Sequence, residues 1–209
     1  MSRPNQFSLL RQRRFAPFFA TQFLGALNDN IFRNGLVILI TFQGVLVAGM
    51  GHSQLANVAA GLFILPYFLF SATAGQLADK YEKSMLIRRI KLLEIGLMGF
   101  ACTALITQSY TLLLLVLFLM GLQSTLFGPV KYAYLPQQLA DHELVGGNAL
   151  VESGTYVAII LGLIVGGIAV GGEIAGVLDI SVQTLLGGLL VVVAVIGVLS
   201  VSAVVAVLR

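Results

Sequence analysis

Charge is what this sequence has least of. Only 10% of its 209 residues are Asp, Glu, Lys or Arg, while 58% are hydrophobic. A soluble domain carries about 25% charged residues. So few charges cannot cover a globular surface, which excludes a soluble enzyme, and the same numbers exclude disorder. Tryptophan is absent, and the single cysteine, Cys102, lies in an apolar run, so no disulfide can form within the chain. The apolar runs are continuous rather than alternating, which excludes a transmembrane β-barrel. There is no Ser-His-Asp set, no Cys/His metal cluster and no basic-aromatic patch. No catalytic residue, metal, cofactor or nucleic acid is therefore expected.

What the sequence does have is long uncharged stretches: residues 34–78, 95–130, 153–172 and 180–208. The pattern is that of a polytopic all-α membrane protein. A spanning helix needs about 20 residues, so this length holds roughly six with short loops. The first stretch has 45 residues, too many for one span. It divides at 43–54, where Gly44, Gly49, Gly51, His52, Ser53 and Gln54 read as a loop. The expected spans are 15–42, 55–78, 88–107, 110–134, 146–170 and 183–207. A basic cytoplasmic segment, 1–14, precedes one six-helix bundle, 15–208.

Lys and Arg set the orientation. Arg3, Arg11, Arg13 and Arg14 precede span one. Lys80, Lys83, Arg88, Arg89 and Lys91 lie between spans two and three and in the first turn of span three, and Arg209 follows span six. These are ten of the twelve basic residues, and all belong to one side. The loops of the other side, near 43–54, 108–109 and 171–182, hold only Glu173 and Asp179 as charges. Both termini are therefore expected in the cytoplasm. A secretory signal peptide fits the start in outline, but Asn28-Asp29-Asn30 makes a poor cleavage site.

Five charges, Asp29, Arg33, Glu94, Lys131 and Glu152, lie inside spans, where each costs roughly 2.5–3.5 kcal/mol on insertion scales. Asp29 and Arg33 in span one are four residues apart, share a helical face and can pair. Asn30 and Asn34 form a second such pair beside them. In span four, Gly128-Pro129 is expected to break or kink the helix, just before Lys131. Lys131 either snorkels to the interface between its tyrosine neighbours or serves a site. In span five, Asn148, Glu152, Thr155 and Tyr156 fall on one face. Glu152 lies near the depth of Lys131, so the two can pair across helices. Glu94 is a further acid, in span three. Such residues mark a site by default, although a purely structural pair is the alternative. Gly162 with Gly166, and Gly167 with Gly171, are small-xxx-small repeats that permit close helix approach.

Gly75-Gln76-Leu77-Ala78-Asp79-Lys80-Tyr81-Glu82-Lys83 closes span two. Gly75 permits close packing, Asp79 can accept from a nearby helix N-terminus, and the bases lie in a short loop. The segment resembles the loop signature of the major facilitator superfamily. It departs where that family often has Gly in place of Glu82 and a second base in place of Ser84. Three further segments resemble the bacterial lysophospholipid transporters: Gly25-Ala26-Leu27-Asn28-Asp29-Asn30, Phe127-Gly128-Pro129-Val130-Lys131-Tyr132, and Asn148-Ala149-Leu150-Val151-Glu152. The basic start, Phe7 to Phe15, is similar to the transporter domain fused to acyltransferase and acyl-carrier-protein ligase domains.

The resemblance implies the N-terminal half of a major facilitator fold, a three-plus-three inverted repeat. It implies flipping of a lysophospholipid, chiefly the ethanolamine form, across the bacterial inner membrane for re-acylation. This chain would form one wall of the cavity, with a second six-helix half and possibly fused enzymes as partners. Asp29, Asn30, Arg33, Lys131, Glu152 and Asn148 would meet the headgroup. Gly75, Asp79, Lys80 and Lys83 would form a cytoplasmic hinge between states. Proton coupling through an Arg in span four is not expected, because Lys131 is its only base. The alternatives are a facilitator for another small solute, such as a drug, and a non-transporting anchor for fused enzymes.

Overall fold

A computed structural model describes residues 6–43 and 49–207 of the chain; the described residues are helical, with no β-strand. A short 3-10 segment, Gln6–Arg11, leads into α1 (Ala16–Gln43). Helices α2 (His52–Lys80), α3 (Lys83–Ile106), α4 (Tyr110–Gln138) and α5 (Asp141–Gly171) follow. A five-residue helix, α6 (Glu173–Val177), precedes α7 (Val182–Val207). Part of the loop expected at 43–54 lies outside the described residues, as do Arg3 and Arg209.

The six long helices have 24 to 31 residues. At ~1.5 Å per residue each exceeds the roughly 30 Å of a bilayer's hydrocarbon core. Four are apolar enough as well as long enough to cross a membrane: α2, α4, α5 and α7. Helix α1 falls short because Asn28, Asp29, Asn30, Arg33 and Asn34 interrupt it, and α3 because its first half holds Lys83, Arg88, Arg89, Lys91 and Glu94.

Local chemistry marks the helix ends. Gln54 accepts from the Gly51 N–H at 3.2 Å to start α2. Glu82 starts α3, its carboxylate accepting from the N–H groups of Ser84 at 2.9 Å and Met85 at 2.6 Å. This corrects the expectation for Asp79: the cap of the neighbouring helix is Glu82. Gly172, at φ +84°, ends α5 in the left-handed region that glycine enters without strain. Helix α4 runs unbroken through Pro129 and Pro136, so Gly128-Pro129 does not break it.

Helix α1 packs mainly on α5 and α7, and α4 mainly on α2 and α3, while α3 and α7 also pack together. Apolar contact alone is a weak guide inside a bilayer, because lipid tails are as apolar as leucine; close approach and polar bonds decide the arrangement. Close approach is visible where α5 crosses α1. A β-carbon on Gly162 would come within 2.5 Å of Asn30 Cβ and 3.0 Å of the Leu27 carbonyl. One on Gly166 would come within 3.0 Å of the Ile31 carbonyl. The second repeat does not behave this way: Gly167 faces only Ile38, at 3.8 Å, and Gly171 faces open space. Between α3 and α7, Gly187 packs against Cys102.

The buried apolar residues form two clusters at different heights. One includes Phe32, Leu36, Met98, Leu117 and Leu186. The other includes Leu9, Phe15, Ala78, Ile87, Tyr134 and Val151. The basic segments Arg11–Arg14 and Lys80–Arg89 adjoin the second cluster, so they gather at one end of the bundle. Between the two clusters α1, α3 and α4 turn polar, and there the site lies.

Candidate functional site

A cavity of about 360 Å³ opens between the two apolar clusters. Asp29, Asn30, Arg33 and Lys131 line it, as do Gln22, Tyr67, Lys91, Gln123, Ser124, Tyr132 and Thr155. Helices α1 to α5 all contribute; α7 contributes none of the lining residues.

Asp29 and Arg33 do not pair with each other. One Asp29 oxygen accepts from the Ser124 hydroxyl of α4. Arg33 donates to Asn30 Oδ1 at 2.7 Å and lies over the Phe63 ring, 5.2 Å from its centroid. Helical spacing allows the pair, but α4 reaches the carboxylate while the α2 ring draws the guanidinium away. The other Asp29 oxygen is buried with no hydrogen-bond partner among the described residues. Native proteins rarely leave such an atom unpaired. Asn30 does not join Asn34; its amide donates to the Ala26 carbonyl at 2.8 Å.

Lys131 and Glu152 do meet, Nζ to Oε1 at 3.2 Å. The Tyr132 hydroxyl donates to the same oxygen, and Lys131 also lies over the Tyr132 ring, 4.6 Å from its centroid. Glu152 thus reaches the cavity wall through two side chains of α4. Asn148 does not line the cavity; its amide donates to the Leu144 carbonyl at 3.0 Å.

Lys91 is the main residue that sequence reasoning misplaced. Counted among the orienting bases, it is instead buried and paired with Glu94 at 2.6 Å, both side chains being 2% exposed. Asn28 donates to Glu94 Oε1 at 3.3 Å and Gln123 to Oε2 at 3.2 Å. Lys91 also stands 5.2 Å from the centroid of the Phe127 ring. The clue was the spacing: Lys91 and Glu94 are three residues apart, one turn on a single helical face. Gln22, missed as well, crosses to α5, donating to the Val151 carbonyl at 3.0 Å and the Thr155 hydroxyl at 2.9 Å.

The loop residues Gly75, Asp79, Lys80 and Lys83 lie away from the cavity. A β-carbon on Gly75 would touch nothing within 4 Å, so Gly75 permits no close packing among the described residues. Lys83 donates to the Tyr81 carbonyl at 3.2 Å, and Lys80 lies over the Tyr81 ring. The two departures from the superfamily loop bind each other: the Ser84 hydroxyl donates to Glu82 at 2.7 Å. At the same end Arg14 ties α1 to the turn between α4 and α5. It donates to Glu143 at 2.7 Å and to the Gln138 carbonyl at 2.8 Å.

An all-helical membrane protein with a cavity holding charges of both signs is the class these features define. Its relatives are more specific. A protein named Lysophospholipid transporter LplT from Enterobacter sp. (strain 638) is 30% identical over 152 residues, 71% of this chain and 34% of that protein. One of the same name from Klebsiella pneumoniae (strain 342) is 36% identical over 110 residues, 51% of this chain and 25% of that protein. A third, from Citrobacter koseri, is 29% identical over 152 residues, again 71% of this chain and 34% of that protein. The chain is a homologue of the lysophospholipid transporters. It spans about a third of the length of the curated relatives it matches. No family model and no solved structure matches it.

Proposed function

We propose that this chain is one half of a transporter that flips lysophospholipid, chiefly the ethanolamine form, across the bacterial inner membrane for re-acylation. One observation carries the reading: a cavity between two apolar clusters, bearing the half-partnered carboxylate of Asp29 beside the cations Arg33 and Lys131. A lysophospholipid headgroup of the ethanolamine type has a phosphate and an ammonium. Asp29 offers an acceptor to the ammonium; Arg33 and Lys131 offer donors to the phosphate. Asn30 fixes Arg33, and Glu152 with Tyr132 fixes Lys131. The acyl chain lies against apolar helix surfaces open to lipid.

The packing supports a half-transporter of the major facilitator type with six spans. Exchanging α1 with α4, α2 with α5 and α3 with α7 turns the α1–α5 contact into the α4–α2 contact. It also turns the α1–α7 contact into the α4–α3 contact, and leaves α3–α7 unchanged. That is the relation expected of a three-plus-three inverted repeat, which sets its site near mid-depth. A second six-helix half supplies the opposite wall. The basic end faces the cytoplasm, by the positive-inside rule.

The test is flipping of labelled lysophosphatidylethanolamine in vesicles holding the complete transporter, with Asp29→Ala and Lys131→Ala. Both variants are expected to lose flipping. Undiminished rates in both would refute the site. Flipping that is absent from the unaltered protein, with full activity of co-expressed acylating enzymes, would favour an anchor.

A further inference from the structure

A second cleft lies on the outside of the bundle. Helices α2 and α3 are consecutive and joined by a tight turn, yet they hardly touch; each packs on α4 instead. The wedge between them is an apolar groove of about 200 Å³. Its floor is Leu126 and Val130 of α4, one turn apart. Its α3 wall is Leu86, Arg89, Ile90 and Leu93, spaced i, i+3, i+4, i+7 along one helical face. Leu77 closes the α2 side.

Arg89 is the one charged residue of the lining. It is exposed and makes no ion pair or hydrogen bond among the described residues. It sits six residues into α3, about 9 Å from the helix start at ~1.5 Å per residue. An arginine there lays its stem along the apolar wall and lifts its guanidinium to the polar boundary. The charge balance at this end favours an anion. Lys80, Lys83, Arg88 and Arg89 face two acids, Asp79 and Glu82, and Glu82 is occupied by Ser84 and Met85.

We propose that the groove between α2 and α3 holds an acyl chain of an anionic phospholipid whose phosphate is bound by Arg89. The groove supplies the apolar trough and Arg89 the planar fork that matches a phosphate. Basic pockets between membrane helices at this level recognise anionic headgroups. The site is separate from the central cavity, with which it shares no lining residue.

The chain is equilibrated in bilayers of equimolar phosphatidylglycerol and phosphatidylethanolamine, extracted in mild detergent, and its retained lipid counted by native mass spectrometry. The unaltered protein is expected to retain phosphatidylglycerol in preference to phosphatidylethanolamine. Arg89→Gln is expected to lower that retention about ten-fold, as loss of a charge-assisted bond implies. Leu93→Trp, which fills the groove from an exposed position, lowers it as well, while Arg88→Gln leaves it unchanged. Equal retention by Arg89→Gln and the unaltered protein overturns the proposal. So does an equal loss in Arg88→Gln, which would mean diffuse attraction to a basic surface, or equal retention of the two lipids. All three side chains are exposed, and melting curves of each variant serve as the check on folding.

Discussion

The Lys91 ammonium stands in the space that a β-carbon at Gly25 would fill. Glu94 holds it there at 2.6 Å, so the side chain is not free to swing aside. A bare stretch of α1 backbone, a buried base of α3 and the Phe127 ring of α4 thus fit together as one unit.

That unit predicts an asymmetric response to mutation. Lys91→Met leaves Glu94 buried without its cation and is expected to destabilise the protein by about 3–5 kcal/mol. Adding Glu94→Gln removes the stranded charge while keeping one of the two acceptor oxygens that Asn28 and Gln123 use, and should restore most of the loss. Melting temperatures in detergent read both. A double variant no more stable than the single would refute the unit.

The α1–α5 crossing depends on Gly162. Gly162→Val pushes a side chain into Asn30 and the Leu27 carbonyl, an overpacking worth about 1–3 kcal/mol. Gly171→Ala meets no neighbour and should leave stability unchanged. Thermal denaturation of the two variants, measured side by side, checks the contrast.

Asp29 and Ser124 separate binding from support. Asp29→Asn keeps the size of the side chain but removes the charge offered to an ammonium. It should reduce flipping of lysophosphatidylethanolamine about ten-fold or more. It should spare lysophosphatidylglycerol, which has no amine. Ser124→Ala frees the first Asp29 oxygen, altering affinity without abolishing flipping. Vesicle assays with the two lipids measure both; an equal loss for both lipids in Asp29→Asn would count against the amine contact.

Glu82 makes one end of the bundle sensitive to acid. Partial burial works against its charge, but bonds from Ser84 and Met85 prevail and hold its carboxyl below the usual 4.5. A depressed folded value means stabilisation that is complete above about pH 4.5 and lost as the pH falls through the folded value. Glu82→Ala should cost about 1 kcal/mol at neutral pH and flatten the acid limb of a stability–pH curve. An unchanged acid limb would exclude the cap as its origin.

The helices were legible because lipid demands long uncharged runs, and each expected span falls on a helix of the structure. The Lys131–Glu152 pair was legible from depth alone, since opposite charges at one level of adjacent helices seek each other. Lys91 was not: its position near other bases looked like a solvated loop, and only the turn of α3 carries it inward to Glu94. Asp29 and Arg33 failed the other way. Their spacing was right for a pair, but sequence could not say that Ser124 and Phe63 would compete for them. Gly75 likewise satisfied a motif whose packing partner is not among the described residues.

Helix α7 touches α1 and α3 along its length yet gives nothing to the cavity wall. Substitutions there change no residue of the cavity wall and act only through the packing of α7 on α1 and α3. Under the transport proposed above, selectivity belongs to the helices that line the cavity, and α7 can act only through the helices it packs on. A screen for altered substrate range should draw its hits from α1 and α4, and a screen for altered turnover should also draw them from α7.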